Sequence, residues 1–422
     1  MNPQSNVLAI DDEQARTNIE AANMLAKQFE KTCKLMFSAD GRSQYKTYKS
    51  IIKNNKRTTE ACNFISDLTL EDLDSAIHRL DPNKSPGPDV IFGQMITHFG
   101  ENAKKAYRAK HSTVDQLFYL SQSIINVIQE KPHRKTVAVF LDLSAAFDRV
   151  WRQKLIHIIH RTGIKGNALL WINDFLRGRK FSVRYNGARS KSHRLWAGVP
   201  QGSVLRPLLF LIYMNTIHPH IHSDTRIACY AYDIAIWYTH RDITTSQKAL
   251  NVTLKNIAIW AKDLKLSINA NKTNYCVFST DRKHRSAFNL DIKINDSPIK
   301  RIEFPTYLGI TMDPKLRFTR NIEYTANKAL RRLSILRKPC GTTWESRPKT
   351  VKNAFFSIIR PLLEYAAPIW NPSSQSSKMD SIQHRASKII IGAVSSKIKT
   401  RLDRNVAYPS RKQTQPCHHK IY

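Results

Sequence analysis

Two aspartates of this chain sit where a fold can bring carboxylates together from distant parts of the sequence. Asp142 ends the apolar, β-branched run Thr136-Val-Ala-Val-Phe-Leu141. Asp233 lies between the apolar arms Ile227–Ala231 and Ile234–Trp237 of a candidate hairpin, whose tip, Tyr232-Asp233, holds its only charge. Carboxylates so placed suit magnesium, a hard ion that takes few ligands from protein and leaves positions for substrate phosphates. A pair of such ions stabilises both the attacking and the leaving oxygen of a phosphoryl transfer. Residue type alone decides little, because an aspartate at a strand end is most often a turn or cap residue.

The elements that would position these residues follow from local pattern. Residues 11–37 read as a polar helix opening at Asp11 or Asp12, with Ile19, Met24, Leu25 and Phe29 on one side. Residues 38–60 are polar and basic and read as a loop. A second helix is expected from Thr69 to Asp81-Pro82, with Leu70, Leu73, Ile77 and Leu80 at helical spacing, followed by the rigid turn Ser85-Pro-Gly-Pro-Asp89. After the strand ending at Asp142, Asp148 is expected to cap a helix carrying Leu155, Ile156 and Ile159 that stops at Gly163. Phe181, Val183 and Tyr185 alternate into Asn186-Gly187, the strongest short hairpin signal. The last third reads as helical and basic, with Leu330, Leu333 and Leu336 in one stripe, and as loosely ordered after Gly392.

Composition narrows the class of partner. The chain has 422 residues and 67 Lys+Arg against 33 Asp+Glu, a formal charge of +34 that favours polyanions. Its 41% hydrophobic content is that of a globular protein, which excludes disorder throughout. Six scattered cysteines without a CxxC pair argue against a disulfide framework and a zinc ribbon, and Cys417-His418-His419 is too compact for a zinc knuckle. The longest apolar run, Pro207–Met214, is too short to cross a bilayer, and the first residues lack a signal-peptide pattern. An intracellular protein, nuclear or cytoplasmic, is the expectation.

Five segments in order change the weight of the two aspartates. These are Val139-Phe-Leu-Asp142-Leu-Ser-Ala-Ala-Phe147-Asp-Arg-Val-Trp151, Gly198-Val-Pro-Gln201-Gly202-Ser-Val-Leu-Arg-Pro-Leu-Leu-Phe210, Tyr230-Ala-Tyr-Asp233, Asn271-Lys272-Thr273 and Tyr307-Leu308-Gly309-Ile310. Together they resemble the palm of reverse transcriptases, the non-LTR retrotransposon group of the jockey kind above all, over residues 65 to 395. The resemblance implies an α+β fold: a right-hand polymerase palm of antiparallel sheet with packed helices, partial fingers and a helical thumb. It divides the chain into an N-terminal region (1–64), remnant fingers (65–134), palm (135–315), thumb or connection (316–395) and a basic tail (396–422).

The resemblance also implies roles. Asp142 matches the first metal-binding aspartate, and Phe147 the aromatic gate that rejects a ribose 2′-OH. Gln201 and Gly202 match the loop beneath the incoming nucleotide and template base. Lys272 matches the lysine proposed to protonate the departing pyrophosphate, and Tyr307, Leu308 and Gly309 the primer-grip hairpin. Val351–Asn371 is similar to a thumb segment. The implied cofactors are two Mg²⁺ ions; the implied partners are an RNA template, a DNA primer and deoxynucleoside triphosphates, with no membrane.

Three departures bear on activity. Tyr232 stands where active relatives carry the metal-binding first Asp of Tyr-Ala-Asp-Asp, and a phenol of pKa about 10 is a poor ligand at neutral pH. That leaves Asp233, the less central of that pair, as the second expected metal residue. Between Asp89 and Asp142 the fingers block that holds the triphosphate is expected to be missing, and Arg206 replaces a small residue. No endonuclease-like region is expected before residue 65. The expected function is therefore RNA-directed DNA synthesis, impaired or lost; the alternatives are a non-catalytic basic nucleic-acid-binding protein derived from such an enzyme, and a relic that does not fold stably.

Overall fold

The computed structural model describes residues 9–10, 13–37, 40–57, 112–130, 134–203, 205–280, 289–337 and 348–391. Its centre is a five-stranded sheet. The strands are β1 (Lys135–Leu141), β2 (Arg226–Tyr230), β3 (Asp233–His240), β4 (Asn274–Phe278) and β5 (Lys300–Arg301), in the spatial order β5-β4-β1-β3-β2. All neighbours are antiparallel except β4 and β5.

The strands are apolar on both sides, so the sheet needs cover on both. Val137, Val139, Leu141, Ile234, Ile236, Tyr275 and Val277 enter one core, while Ala138, Phe140, Ala235, Trp237, Cys276 and Phe278 enter the other. That strict alternation is the period of two that a pleated strand imposes.

The first core is covered by α2 (Asp40–Arg57), α4 (Arg152–Arg161), α5 (Gly166–Leu176), α6 (Leu205–Met214) and α7 (Ile243–Asp263), with α3 (Thr113–Gln129) on the other side, while α1 (Asn18–Cys33) packs on residues 181–194 outside it. The second core joins α3 to α8 (Thr319–Arg337), α9 (Pro348–Ile358), the short α10 (Arg360–Glu364) and α11 (Ala367–Trp370), and α12 (Ser377–Ile391). Leu117, Leu120 and Ile124 of α3 recur at helical spacing, and Ser112 and Asp115 close a reciprocal cap at its start. The stripe Leu333 and Leu336 of α8 is buried here, with Leu330 packed against it. The fold is α+β, as expected.

Several local expectations are corrected. The first helix starts at Asn18, capped by Thr17 with Glu20, and not at Asp11 or Asp12. It buries Ala21, Ala22, Ala26 and Cys33, while Ile19 stays 59% exposed, because small side chains let the helix lie close to its neighbours. Residues 40–57 form α2 and are not a loop. Tyr48, Ile51 and Ile52 supply a narrow apolar stripe against the first core, Tyr48 donates to Asn173 (2.7 Å), and Asn55 accepts from the Gly166 amide (2.6 Å). Tertiary contact thus stabilises a helix that its polar sequence conceals.

Asp148 caps no helix. Trp151 is the residue before α4, which has no side-chain cap, whereas Leu155, Ile156 and Ile159 are buried as expected. The Asn186-Gly187 hairpin forms between Arg184–Tyr185 and Ala188–Arg189. In the β2–β3 hairpin the two-residue turn is Ala231-Tyr232, and Asp233 opens β3 instead of sharing the tip. The expected helix from Thr69, the Ser85–Asp89 turn, the fingers gap and the segment after Gly392 lie outside the described residues. No helix among the described residues is long and apolar enough to cross a membrane.

Candidate active site

The register of β1 and β3 brings the two aspartates to one end of the sheet. Leu141 pairs with Ile234, so Asp142 and Asp233 occupy the next opposed positions. Asp233 is half-buried, and burial, then the Asp142 charge, push its carboxyl above the ordinary range. A cation beside Asp233 relieves that effect.

The backbone of Asp142 is held on both sides by one turn. Its amide donates to Thr273 Oγ1 (3.3 Å), and its carbonyl accepts from the Asn269 amide (2.9 Å). Asn269 Oδ1 also accepts from the amides of Asn271 and Lys272, at 3.1 and 3.2 Å. Lys272 is therefore carried on a turn fastened to the strand end, with its side chain exposed.

Phe147 follows on the turn after Asp142. Its ring stacks on Phe210 (centroids 4.0 Å), the Arg206 guanidinium covers it at 4.5 Å, and the Tyr232 ring meets it edge-on at 6.0 Å. Asp148 accepts from Gln201 Nε2 (3.2 Å) and faces Arg206 (3.8 Å). Gln201 and Gly202 stay open to solvent, and Gly202 takes φ +80° with no atom near its missing Cβ. The conformation, more than crowding, calls for glycine there.

The loop that leads to Gln201 is packed against the Phe147 turn. A Cβ on Gly198, at φ +83°, would lie 2.9 Å from the Asp148 backbone. Buried Arg152 donates to the carbonyls of Leu195, Ala197 and Gly198 at 2.8–3.0 Å, and burial lowers its pKa to about 10. Arg152, Gly198, Asp148 and Thr273 are structural partners of the site that sequence reading missed. Gly198 carries a faint signal as a glycine in a glycine-poor chain, whereas Arg152, which opens the mixed helix Arg152–Arg161, carries none that local pattern shows.

The Tyr307–Gly309 hairpin sits on the other face of the sheet. Tyr307 is buried against Phe140, donates to the Ala228 carbonyl (3.2 Å), and has its phenol pKa raised by burial above all. Leu308 takes φ +45°, and its carbonyl accepts from Tyr365 (2.7 Å). Of the expected site residues, Asp142, Asp233, Lys272, Phe147, Gln201 and Gly202 are gathered around one sheet end, whereas Tyr307, Leu308 and Gly309 pack behind it.

A family profile described as reverse transcriptase (RNA-dependent DNA polymerase) matches residues 93–312. The chain belongs to the reverse transcriptase family. It is similar to the probable RNA-directed DNA polymerase from transposon BS of Drosophila melanogaster, 28% identical over 67% of this chain and 32% of that protein. It is also similar to the RNA-directed DNA polymerase from mobile element jockey of the same organism, 27% identical over 81% of this chain and 37% of that protein. The chain thus spans about a third of the length of these relatives. Among solved structures, it is similar to apo telomerase from Candida tropicalis, with a TM-score of 0.40 at 11% identity over 71% of this chain and 49% of that one.

For the divalent ions that reverse transcriptases use, the donor set fits only in part. Asp142 and Asp233 suit one hard cation completed by phosphate oxygens. The adjoining position is Tyr232, 41% exposed at the turn, and the described residues hold no cluster of three His, Cys, Asp or Glu side chains for a metal.

Proposed function

We propose that this chain is the polymerase part of a non-LTR retrotransposon protein, built for RNA-directed DNA synthesis and impaired by Tyr232. The observation that carries the reading is the register that sets Asp142 opposite Asp233, beside Phe147 and Gln201. In this reading residues 135–315 are the palm, 316–395 the thumb, 65–134 the remnant fingers, and 1–64 and 396–422 the flanking N-terminal region and basic tail.

Asp142 and Asp233 would hold a divalent magnesium ion, which would supply charge stabilisation to the attacking primer 3′-oxygen and the departing pyrophosphate. Phe147, pinned between Phe210 and Arg206, closes the space a ribose 2′-OH would need. Gln201, oriented by Asp148, and Gly202 present an open surface beneath a deoxynucleotide and its template base. Lys272 donates a proton to the leaving pyrophosphate. Tyr307, Leu308 and Gly309, braced by Tyr365, steady the primer strand.

Primer extension on an RNA template with Mg²⁺ tests this. We expect little or no product from the unaltered chain, and more from Tyr232→Asp, without full recovery if the fingers block is missing. Robust extension by the unaltered chain refutes the impairment, and extension that survives Asp142→Asn refutes the site.

The incomplete donor set favours one second reading: a basic nucleic-acid-binding protein that has lost catalysis. It predicts tight, salt-sensitive RNA binding with no extension by either chain.

A further inference from the structure

The segment that precedes the Gln201 loop carries an unusual charge pattern. Residues 177–196 contain seven Lys or Arg and no acid. They fold as two short antiparallel ladders: Lys180 pairs with Arg194 and Phe181 with His193, then Arg184 pairs with Arg189 and Tyr185 with Ala188. Phe181 packs edge-on against Phe29 of α1 (4.9 Å), and His193 bonds Glu30 of the same helix (2.7 Å). Alternation therefore turns Lys180, Ser182 and Arg184 to the opposite face, together with Arg194. A 2.7 Å hydrogen bond from Arg189 Nε to Ser182 Oγ puts Arg189 on that face too.

Both outward pairs are cation directly opposite cation, and all four side chains are exposed. Like charges so placed destabilise a ladder. Glu30 does not compensate, since its carboxylate is taken by His193 and by Trp196 Nε1 (3.3 Å) from the α1 side. An anion that spans the pairs relieves this repulsion. Lys180 and Arg184 lie four residues apart, about 13 Å along an extended strand, which is more than a single phosphate reaches.

An aromatic platform lies beside this ladder. Trp196 is 52% exposed, and the Arg194 guanidinium sits 4.8 Å from its ring centroid. Exposed indole beside a track of cations is the combination that binds single strands, with phosphates on the charges and a base on the ring. The Arg152 bonds to Leu195, Ala197 and Gly198 fasten this platform to the loop of Gln201.

We propose that Lys180, Arg184, Arg189, Arg194 and Trp196 form a docking track for a single strand of nucleic acid, separate from the Asp142–Asp233 centre and independent of catalysis there.

Fluorescence anisotropy with a short labelled single-stranded RNA, read across a salt series, tests the track. Replacing all four cations with Gln should lower the slope of log K against log[salt] by about 3, since each single-strand phosphate contact contributes roughly 0.7. Without RNA the same variant should melt at a higher temperature than the parent, because the like-charge pairs are gone. Trp196→Ala should weaken binding on the order of tenfold with little change of slope, and Trp196→Phe should restore most of it.

An unchanged salt slope in a variant whose circular dichroism shows it folded overturns the proposal. So does an equal loss from Trp196→Ala on blunt duplex RNA, or binding to anionic vesicles that depends on the four cations while RNA binding does not. If the fourfold variant does not fold, the paired changes Arg184→Gln/Arg189→Gln should lower the slope by about 1.4 by the same arithmetic, and no change there overturns it equally. Asp142→Asn leaves this slope intact, so failure of the catalytic reading and failure of the track are read separately.

Discussion

Two hairpins of this molecule reverse direction in two residues with different chemistry. Between Arg184–Tyr185 and Ala188–Arg189 the turn is Asn186-Gly187, with φ of +45° and +82°, the residues that a turn with two positive φ angles favours. Between β2 and β3 the turn opens on Ala231 at φ +54°, where glycine is the usual choice, and continues into exposed Tyr232. An alanine held in the left-handed region costs roughly 1–2 kcal/mol. Such strain persists where the surroundings over-determine the backbone, and here β3 is paired on both edges. The hairpin whose turn carries no residue of the Asp142–Asp233 site follows turn propensity, whereas the one that delivers Asp233 follows the demands of that site.

The largest expected effect tests the site end of this contrast. Tyr232→Asp should tighten Mg²⁺ binding, read as the shift of the melting temperature in a Mg²⁺ titration, by at least about tenfold, because even an outer-shell partner of a metal is worth ~10–100-fold. Unchanged affinity would break the view of this turn as a metal site missing one ligand. Gly187→Ala comes next and should cost roughly 1–2 kcal/mol in urea unfolding. A neutral result would remove the structural half of the comparison.

Ala231→Gly should do the reverse, raising stability by about 0.5–1 kcal/mol once the entropy cost of glycine is set against the relieved strain. A loss of stability would show that the turn is not strained. The smallest effect is expected from Asp233→Asn. A carboxyl whose pKa is raised by folding stabilises the protein below the ordinary aspartate value of about 3.9, and that contribution is lost as pH rises through its own higher value. The amide should therefore raise stability slightly at neutral pH, flatten this part of the pH–stability curve, and abolish any protection by Mg²⁺. Lower neutral-pH stability in the variant would contradict the repulsion between the two aspartates.

How much of this was legible beforehand differs by element. Lys135–Leu141, the Asn186-Gly187 hairpin and the buried face of α4 are local patterns, and each formed where its residues indicated. The helix Asp40–Arg57 escaped notice because its apolar stripe is narrow and its hydrogen bonds go to Asn173 and Gly166, more than a hundred residues away. Asp148 looked like a helix cap because Asp commonly is one; its partners Gln201 and Arg206 come from a loop and helix some fifty residues on. The turn at Ala231-Tyr232 was misplaced by one residue because both arms are apolar, so alternation could not mark the turn.

By itself the sequence determined the order of the motifs, Asp142 at a strand end, Asp233 next to a hairpin turn, the tyrosine beside it, and the excess of cations that calls for a polyanion. Those properties reside in residue type and near spacing. Tertiary structure alone decided that Asp142 faces Asp233, that Arg152 holds the loop before Gln201, and that four cations of residues 180–194 share one exposed face. Each depends on strand register or on a partner far along the chain, and local periodicity leaves register free until two strands pair.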